Sequence, residues 1–403
     1  MTTALVGGGP AGAALLLAAA RTGALDALLD DGLTVIHAGP ADGFGAGRLG
    51  GYLVRSDTRA RVFAECAAPV LGRDPANGLI ARCDHDEPVP LRTAAALLAA
   101  AGRRVLDRVR AHPRAVVLSP ARVTGLRAAD GGVTLRLAGR PPVQAHRAVL
   151  ALGGRPWTPP GLPVEGRLVL HSEQVLRRPG YRELISRLRE APRRGRAAGP
   201  RVTVVGGSHS AFAVAGLLLR SPVRWAPGAI TIAHRSPVLV TYPDAAAARA
   251  DGAAVRGDQI CPATGMVHRF GGLRSDAAAV YQRIRRGAEP RARLVRVPAG
   301  WDWFAGVTRD DPAVVAATGY GPAVTGLLGG DAGSWWDGNG RLRTGTGAVL
   351  PHVYGLGLGT RRPRGPGTGG EPAFDGAIDG VWFYQNIVAP DLLALVLADG
   401  SPG

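Results

Sequence analysis

The chain has 403 residues, of which 46% are hydrophobic and 20% charged, a composition typical of a soluble globular protein with two or three units. Its formal net charge of +17 would suit a nucleic-acid partner, but every basic residue other than histidine is an arginine. These arginines are scattered, with the densest run in an expected linker at 191–201, so we expect no nucleic-acid partner. The absence of lysine also excludes Schiff-base and phosphate-loop chemistry.

Cysteine content and apolar runs favour a cytoplasmic protein without a membrane partner. Cys66, Cys83 and Cys261 form no CxxC pair, which is typical of a reducing compartment. We find no apolar run long enough to span a bilayer, and the first strand begins too close to Met1 for a signal peptide. The histidines form no HxH or HExxH pattern, so we expect no metal site. The oligomeric state stays open.

The first predicted element is a short strand over residues 4–6, followed by GGGPAG and an Ala/Leu-rich helix. Gly7 permits a tight turn, Gly9 lets the backbone approach a pyrophosphate, and Gly12 brings the helix close to the strand. The start of the helix offers amide donors to phosphates. The pattern predicts a dinucleotide-binding unit whose cofactor contacts are Gly7, Gly9, Pro10, Ala11 and Gly12.

The next predicted strand, LTVIHAG, ends at His37. Dinucleotide-binding units usually carry an Asp or Glu there to bind the ribose. A neutral imidazole can also exchange a hydrogen bond with a ribose hydroxyl, so His37 is a candidate cofactor contact. Alternatively, His37 only ends the strand.

A second strand–turn–helix pattern, VTVVGGSHSA, begins at residue 202. Small residues replace two of its glycines, which keeps the close approach possible. The following strand ends in His-Arg-Ser instead of a carboxylate, and an arginine there can pair with a 2′-phosphate. The pattern predicts an NADPH loop, unless the turn binds no ligand, and its candidate contacts are Gly206, Ser208, His209, Ser210, His234, Arg235 and Ser236.

Two further predicted strands end in glycine turns, AHRAVLALGG at 145–154 and DPAVVAATGYGP at 311–322. Glycine at the end of a strand lets the backbone lie next to a bound cofactor. The candidate contacts in these turns are Ala151, Leu152, Gly153, Ala317, Thr318, Gly319 and Tyr320.

In this order the four patterns resemble the class B flavoprotein monooxygenases, within the two-dinucleotide-binding-domain flavoproteins. GGGPAG is similar to the family's FAD loop and VVGGSHSA to its NADPH loop. ATGY at 317–320 reproduces the motif of the N-hydroxylating branch. The stretch GRLVLHSEQVL at 166–176 resembles the segment that precedes the NADPH domain, with Val175 in place of an aromatic residue.

The resemblance implies an α/β fold with two Rossmann-like dinucleotide-binding domains, for FAD and NADPH. Residues 1–160 and 312–403 would form the FAD-binding domain. Residues 161–311 would form the NADPH-binding domain, with a small helical insertion near 240–290.

The resemblance also implies further site residues. The Gly-rich stretch 43–63 would pass over the flavin, with Arg48, Leu49 and Tyr52 as candidates, unless it is only a surface loop. The C-terminal candidates for cofactor contact are Gly357, Gly359, Gly380 and Val381, with Asp379 as the N-cap of a last helix. The substrate candidates in the insertion are Tyr242, Gln259, His268 and Arg274.

The implied function is an FAD- and NADPH-dependent monooxygenase that uses O₂ to hydroxylate a nitrogen of a small amine or amino acid through a C4a-hydroperoxyflavin. Because the flavin carries the chemistry, no catalytic side chain is expected. Oxygenation at sulfur or carbon, an NADPH-dependent flavin reductase with a protein partner, and a non-enzymatic dinucleotide sensor stay open as alternatives. A disulfide reductase would need a cysteine pair that the sequence lacks.

Overall fold

The structure is a computed structural model, and the residues that it describes are 2–72, 78–129, 131–160, 167–190, 199–301, 303, 306, 308, 311–328, 335–337, 340–344, 346–360, 369–374 and 380–398. Most of the linker expected at 191–201 and the N-cap expected at Asp379 lie outside these residues.

The strands in chain order are β1 (Thr3–Val6), β2 (Leu33–Ile36), β3 (Arg55–Arg59), β4 (Pro88–Pro90), β5 (Ala115–Leu118), β6 (Val123–Ala129), β7 (Gly132–Leu137), β8 (Arg140–Ala145), β9 (Arg147–Leu150), β10 (Gly154–Pro156), β11 (Leu168–His171), β12 (Val202–Val205), β13 (Ile230–His234), β14 (Ala292–Arg296), β15 (Ala313–Ala316), β16 (Tyr320–Pro322), β17 (Trp335–Trp336), β18 (Arg341–Arg343) and β19 (Val349–Gly355).

The helices are α1 (Pro10–Thr22), α2 (Leu25–Asp30), α3 (Ala60–Leu71), α4 (Leu79–Cys83), α5 (Leu91–Ala111), α6 (Ser172–Val175), α7 (Arg178–Glu190), α8 (His209–Leu219), α9 (Ala245–Ala250), α10 (Ser275–Arg285), α11 (Val381–Phe383) and α12 (Ala389–Ala398). A π-helical turn, Tyr384–Val388, joins the last two. Short 3₁₀ turns lie at Ala41–Gly43, Leu49–Gly51, Gly257–Gln259, Val324–Leu327 and Leu358–Thr360.

The first sheet has seven strands in the order β17-β18-β19-β9-β1-β2-β5. Its central strand β1 pairs in parallel with β2 and with β9, and all four of its residues are buried. A continuous apolar run is typical of a parallel strand that is covered on both faces. Helices α1, α5 and α12 contribute to the core on one face, and the antiparallel sheet β6-β7-β8 covers the other.

The second sheet is wholly parallel, in the order β11-β15-β12-β13-β14. Helices α7, α8 and α10 contribute apolar side chains to the core on one of its faces. The two parallel sheets with their flanking helices confirm the predicted α/β class. Strand β15 pairs in the second sheet, two residues beyond the boundary expected at 311. The division into domains stays a prediction.

One segment corrects the sequence analysis. The helical stretch Val381–Ala398 is long and apolar enough to cross a membrane by length and composition. The expectation that no apolar run has that length was therefore wrong for this segment. In the fold, the stretch packs against α1, and its apolar residues belong to the core of the first sheet. A core helix passes the same length and composition test, so the segment is weak support for a membrane span.

Candidate dinucleotide-binding sites

In the first glycine loop, Gly7 and Gly12 at the two ends have no room for a side chain, whereas Gly9 in the middle does. A Cβ on Gly7, whose φ is +113°, would lie 2.2 Å from the Ala151 carbonyl oxygen. A Cβ on Gly12 would lie 1.9 Å from the Gly7 carbonyl oxygen. By contrast, a Cβ on Gly9 would meet no atom within 4 Å. The outer glycines therefore let strand and helix approach, whereas Gly9 faces free space at the start of α1, where a phosphate group fits.

The other segments predicted to contact the first cofactor surround this loop. The Gly45 amide donates to the Gly8 carbonyl oxygen at 2.8 Å, which fixes the stretch that carries Arg48 and Leu49 beside the loop. A Cβ on Gly357 would lie 2.7 Å from the Ala11 Cβ. Residues distant in sequence thus converge on one edge of the first sheet.

The remaining predicted glycine contacts of the first cofactor lie in two places. A Cβ on Gly359 would lie 2.2 Å from the Gly153 carbonyl oxygen, so the two glycine turns touch through their backbones. Leu152 lies beside Gly153 in the same turn. Gly380 precedes Val381, the first residue of α11; its φ is +143° and no atom lies within 4 Å of its Cβ position.

His37 lies at the end of β2, directly beside the first loop. Its ring blocks a side chain at Gly8, since a Cβ there would lie 2.4 Å from the His37 Nδ1 atom. The ring also contacts Phe44 edge-on, with centroids 5.8 Å apart. Burial lowers the pKa of His37, although a hydrogen bond with the Pro40 backbone opposes this shift. His37 is therefore a neutral hydrogen-bonding group at neutral pH, as the sequence analysis assumed.

The second glycine loop repeats the construction of the first. A Cβ on Gly206, whose φ is +141°, would lie 2.2 Å from the Ala317 carbonyl oxygen. The Ala317 amide donates to the Val205 carbonyl oxygen at 2.8 Å, as the Ala151 amide does to Val6. Ser208 is the N-cap of α8, and Ser210 lies in its first turn. Two equivalent strand–turn–helix sites therefore lie on two separate sheets.

The residues after β13 lie beside the second loop. The His234 ring nitrogen Nδ1 and the Ser236 carbonyl oxygen are 2.9 Å apart. Arg235 is exposed and forms no salt bridge with a described residue; its guanidinium lies 4.9 Å from the centroid of the Trp301 ring. The cation is therefore available to an anionic ligand.

The ATGY turn leads from β15 of the second sheet into a separate two-stranded sheet, β10-β16. The Thr318 hydroxyl donates to the Trp157 carbonyl oxygen at 2.7 Å, and Gly319 has a φ of +87° with an open Cβ position. Tyr320 pairs with Pro156 between β16 and β10. Burial raises the pKa of the Tyr320 hydroxyl, and the nearby Tyr52 hydroxyl raises it further.

A charged cluster that the sequence analysis did not assign lies between the loop of Tyr52 and helix α6. The buried Glu173 carboxylate accepts from Arg48 Nη1 at 3.0 Å and from Arg177. The Arg177 guanidinium also stacks on the Tyr52 ring, 5.0 Å from its centroid. Glu173 belongs to the stretch GRLVLHSEQVL, which resembles the segment that precedes the family's NADPH domain, and Arg177 directly follows this stretch. That motif was the signal that could have pointed to the cluster.

His209, predicted as a cofactor contact, is engaged by a second charged cluster. The Arg274 amide donates to His209 Nε2 at 3.1 Å, and Arg274 Nη2 donates to the Asp57 carboxylate at 2.9 Å. Burial lowers the pKa of His209, against the attraction of Asp57. Burial raises the pKa of Asp57, but the Arg274 and His209 charges outweigh it, so that the pKa is lowered. This cluster ties the start of α8 to β3 and to α10.

The other substrate candidates have hydrogen-bond partners within residues 240–290. The Tyr242 hydroxyl donates to Asp251 at 2.5 Å, and burial together with this contact raises its pKa to about 12. The Gln259 side chain accepts from the Arg256 amide at 2.9 Å. His268 is buried, with Nδ1 3.2 Å from the Val240 carbonyl oxygen. Three of the candidates are neighbours in the fold: the His268 amide donates to the Gln259 carbonyl oxygen at 3.0 Å, and Tyr242 exchanges two backbone hydrogen bonds of 3.1 Å with Val267, next to His268.

Within the described ranges, no group of three or more His, Cys, Asp or Glu residues could hold a metal ion. Cys66, Cys83 and Cys261 are all buried free thiols. The redox-active cysteine pair of a disulfide reductase therefore has no counterpart among the described residues.

Comparison with known proteins identifies the class. No protein-family model matches the chain. A hydroxylase of Streptomyces rubellomurinus, named for CMP-5′-(3-aminopropyl)phosphonate, is 32% identical over 437 aligned residues, which cover 98% of this chain and 97% of the relative. The chain therefore belongs to the class B flavoprotein monooxygenases, as the resemblance predicted.

Solved structures share the fold. L-Lysine 6-monooxygenase from Pseudomonas syringae superposes with a TM-score of 0.60 at 18% identity and covers 100% of this chain and 99% of its own. The Kutzneria ornithine N-hydroxylase, solved with reduced FAD, NADP⁺ and L-ornithine, gives 0.58 at 17% identity and covers 99% of each chain. The prediction of an oxidoreductase of the flavin monooxygenase class is confirmed. The predicted cofactors, FAD and NADPH, agree with those in the Kutzneria structure.

Proposed function

We propose that this protein binds FAD at the first glycine loop and NADPH at the second, and uses O₂ to hydroxylate the nitrogen of a primary amine. The observation that carries the proposal is the repeated loop. At each sheet the turn glycine, Gly7 or Gly206, leaves no room for a side chain, because a Cβ there would lie 2.2 Å from a backbone carbonyl oxygen, and the first loop leaves an open position at Gly9.

The residues present fit the adenine dinucleotide of FAD. The open Gly9 position, the start of α1 and the His37 imidazole provide space, amide donors and a ribose contact. Arg48, Leu49 and Tyr52 lie on the loop beside them, and Tyr52 reaches toward the ATGY turn. Bound FAD would supply the oxygen-activating redox chemistry, and the protein would position the substrate and exclude water.

The second loop fits NADPH better than NADH. Arg235 lies just past β13, is exposed and has no carboxylate partner among the described residues. A guanidinium at this position of a dinucleotide unit can bind a 2′-phosphate through two parallel hydrogen bonds. Ser208, Ser210 and the start of α8 would face the pyrophosphate.

We propose a substrate in which the amine is carried by an anionic nucleotide. The Streptomyces relative is named for CMP-5′-(3-aminopropyl)phosphonate, which joins a primary amine to a nucleotide. The net charge of +17 on this chain favours such anionic ligands. The substrate, O₂ and the two dinucleotides are then the only partners needed, and the buried thiols suit a cytoplasmic location.

The test is a product balance with purified protein, NADPH and O₂. The panel holds CMP-5′-(3-aminopropyl)phosphonate, ornithine, lysine, cadaverine, one sulfide and one ketone. Without substrate, consumed NADPH should appear as hydrogen peroxide. With the right amine, peroxide should fall as a hydroxylamine forms. If only the sulfide or only the ketone suppressed peroxide formation, the enzyme would oxygenate sulfur or carbon and not nitrogen. Reduction of a protein acceptor without any oxygenated product would indicate a reductase.

A further inference from the structure

Three of the seven tryptophans lie together beside the second glycine loop. The ring centroids of Trp157 and Trp301 are 5.4 Å apart, and those of Trp301 and Trp303 are 6.0 Å apart. Trp157 is 40% exposed, although it is among the largest apolar side chains of the protein. A tryptophan left this exposed in a cluster of aromatic rings is typical of a binding surface.

The cluster lies at the carboxyl edge of the second sheet, where ligands of parallel α/β sheets bind. The Trp157 amide donates to the Gly319 carbonyl oxygen at 3.0 Å, which holds its ring next to the turn after β15. Trp301 follows the end of β14, and Arg235 follows the end of β13. The carboxyl ends of β13, β14 and β15, which lie in the same sheet, thus supply one surface.

This surface combines a cation with tilted aromatic rings: the planes of Trp157 and Trp301 meet at 51°, and those of Trp301 and Trp303 at 34°. The Arg235 guanidinium lies 4.9 Å from the Trp301 centroid and forms no salt bridge with a described residue. Indole and guanidinium planes are the groups on which nucleobases stack, and an arginine can bind a phosphate at the same time. Trp301 and Trp303 also pack on Val205 and Val314, and this apolar contact fixes the position of the two rings.

We propose that Trp157, Trp301 and Arg235 form a nucleobase-binding surface, in which a base stacks on indole and a neighbouring phosphate contacts the guanidinium. The inference rests on the proposed function, in which the protein binds NADPH and a nucleotide-linked substrate. The base is the adenine of NADPH or the pyrimidine of a nucleotide-linked substrate. Both sources share the chemistry of a planar base with a phosphate nearby.

The experiment measures nucleotide binding to the flavin-loaded protein by calorimetry, without turnover. The probes are 2′,5′-ADP for the adenine source and CMP for the pyrimidine source, with ribose 5-phosphate as a probe that lacks a base. The variants are Trp157→Leu and Trp301→Leu. Trp382→Leu is the matched control, because Trp382 is also 40% exposed.

We expect one nucleotide to bind at least about tenfold more weakly to both cluster variants, which is the loss of one base stack. Its affinity for Trp382→Leu should equal that for the wild type, and any ribose 5-phosphate binding should be unaffected by the cluster variants. A loss for 2′,5′-ADP assigns the surface to NADPH, and a loss for CMP assigns it to the substrate.

Equal affinity of both nucleotides for the wild type and the two cluster variants would overturn the proposal, as would no binding of either nucleotide. Trp157→Leu keeps the test valid if Trp301→Leu fails to fold, since Trp157 is the more exposed ring. Failure of the proposed monooxygenase would instead be seen in the product balance, which this binding experiment does not use.

Discussion

The Glu173 carboxylate accepts a hydrogen bond from Arg48 at 3.0 Å across 125 residues of chain, from helix α6 to the loop beside the first glycine turn. Glu173 is buried, and the same oxygen accepts from Arg177. Tyr52 stacks on Arg177 and lies next to Tyr320. Through Arg177 and Tyr52, one carboxylate therefore links the loop expected to pass over the flavin with the ATGY turn.

Replacement of this carboxylate should destabilise the protein. Glu173→Gln leaves two arginines near a neutral group, and loss of a hydrogen bond to a charged group costs about 1.5–3 kcal/mol. We expect the free energy of unfolding in urea to fall by about that amount. Glu183→Gln, at an exposed position on α7, is the control and should change little. Equal free energies of unfolding for the two variants would mean that the Glu173 cluster does not stabilise the folded protein.

Gly9→Val should abolish flavin binding without unfolding the protein. The Cβ position of Gly9 meets no protein atom, and its φ of −78° suits any residue. The valine side chain would instead occupy the space proposed for the pyrophosphate. The measurement is the flavin absorbance per protein after purification, together with circular dichroism.

Two other glycines sharpen this test. Gly257→Val has an equally open Cβ position in the insertion and should keep its flavin. Gly7→Val should fail to fold, because a Cβ there would lie 2.2 Å from the Ala151 carbonyl oxygen. Full flavin content in Gly9→Val would show that FAD binds elsewhere.

Arg235→Ala should reduce the preference for NADPH. A charge-assisted contact with the 2′-phosphate contributes about 1.5–3 kcal/mol, so the KM for NADPH should rise by about ten- to a hundredfold. The KM for NADH should stay nearly constant. Arg224→Ala, at an exposed arginine before β13, is the control. Similar losses with both dinucleotides would assign Arg235 a structural role through its contact with Trp301.

The stability of the protein should decrease as the pH falls below about 6.5. Burial lowers the pKa of His209 in the folded state, so the unfolded chain binds its proton first and unfolding becomes easier on acidification. The difference in unfolding free energy between pH 7.5 and pH 5.5 should therefore shrink in His209→Gln. The exposed His85→Gln is the control. An unchanged difference in His209→Gln would contradict the lowered pKa of His209 in the folded protein.

The sequence alone determined the elements that form the two glycine loops. Residues 4–12 and 202–211 carry a strand, a turn and a helix within about ten residues, and the local demands of a tight turn and close helix packing require small residues there. For the same reason the glycine turns at Gly153 and Gly319 were predictable. Each of these features depends on backbone geometry within a few residues.

Only the tertiary structure decided which distant side chains meet. The pairs Arg48–Glu173 and Asp57–Arg274 join segments more than 100 residues apart, and no local periodicity encodes such a contact. The contact between the Trp157 and Trp301 rings likewise depends on how β10 and the end of β14 are placed by two different sheets. Ion pairs and ring stacks are short-ranged, so their partners are fixed by the packing of whole sheets and helices and not by the sequence around each residue.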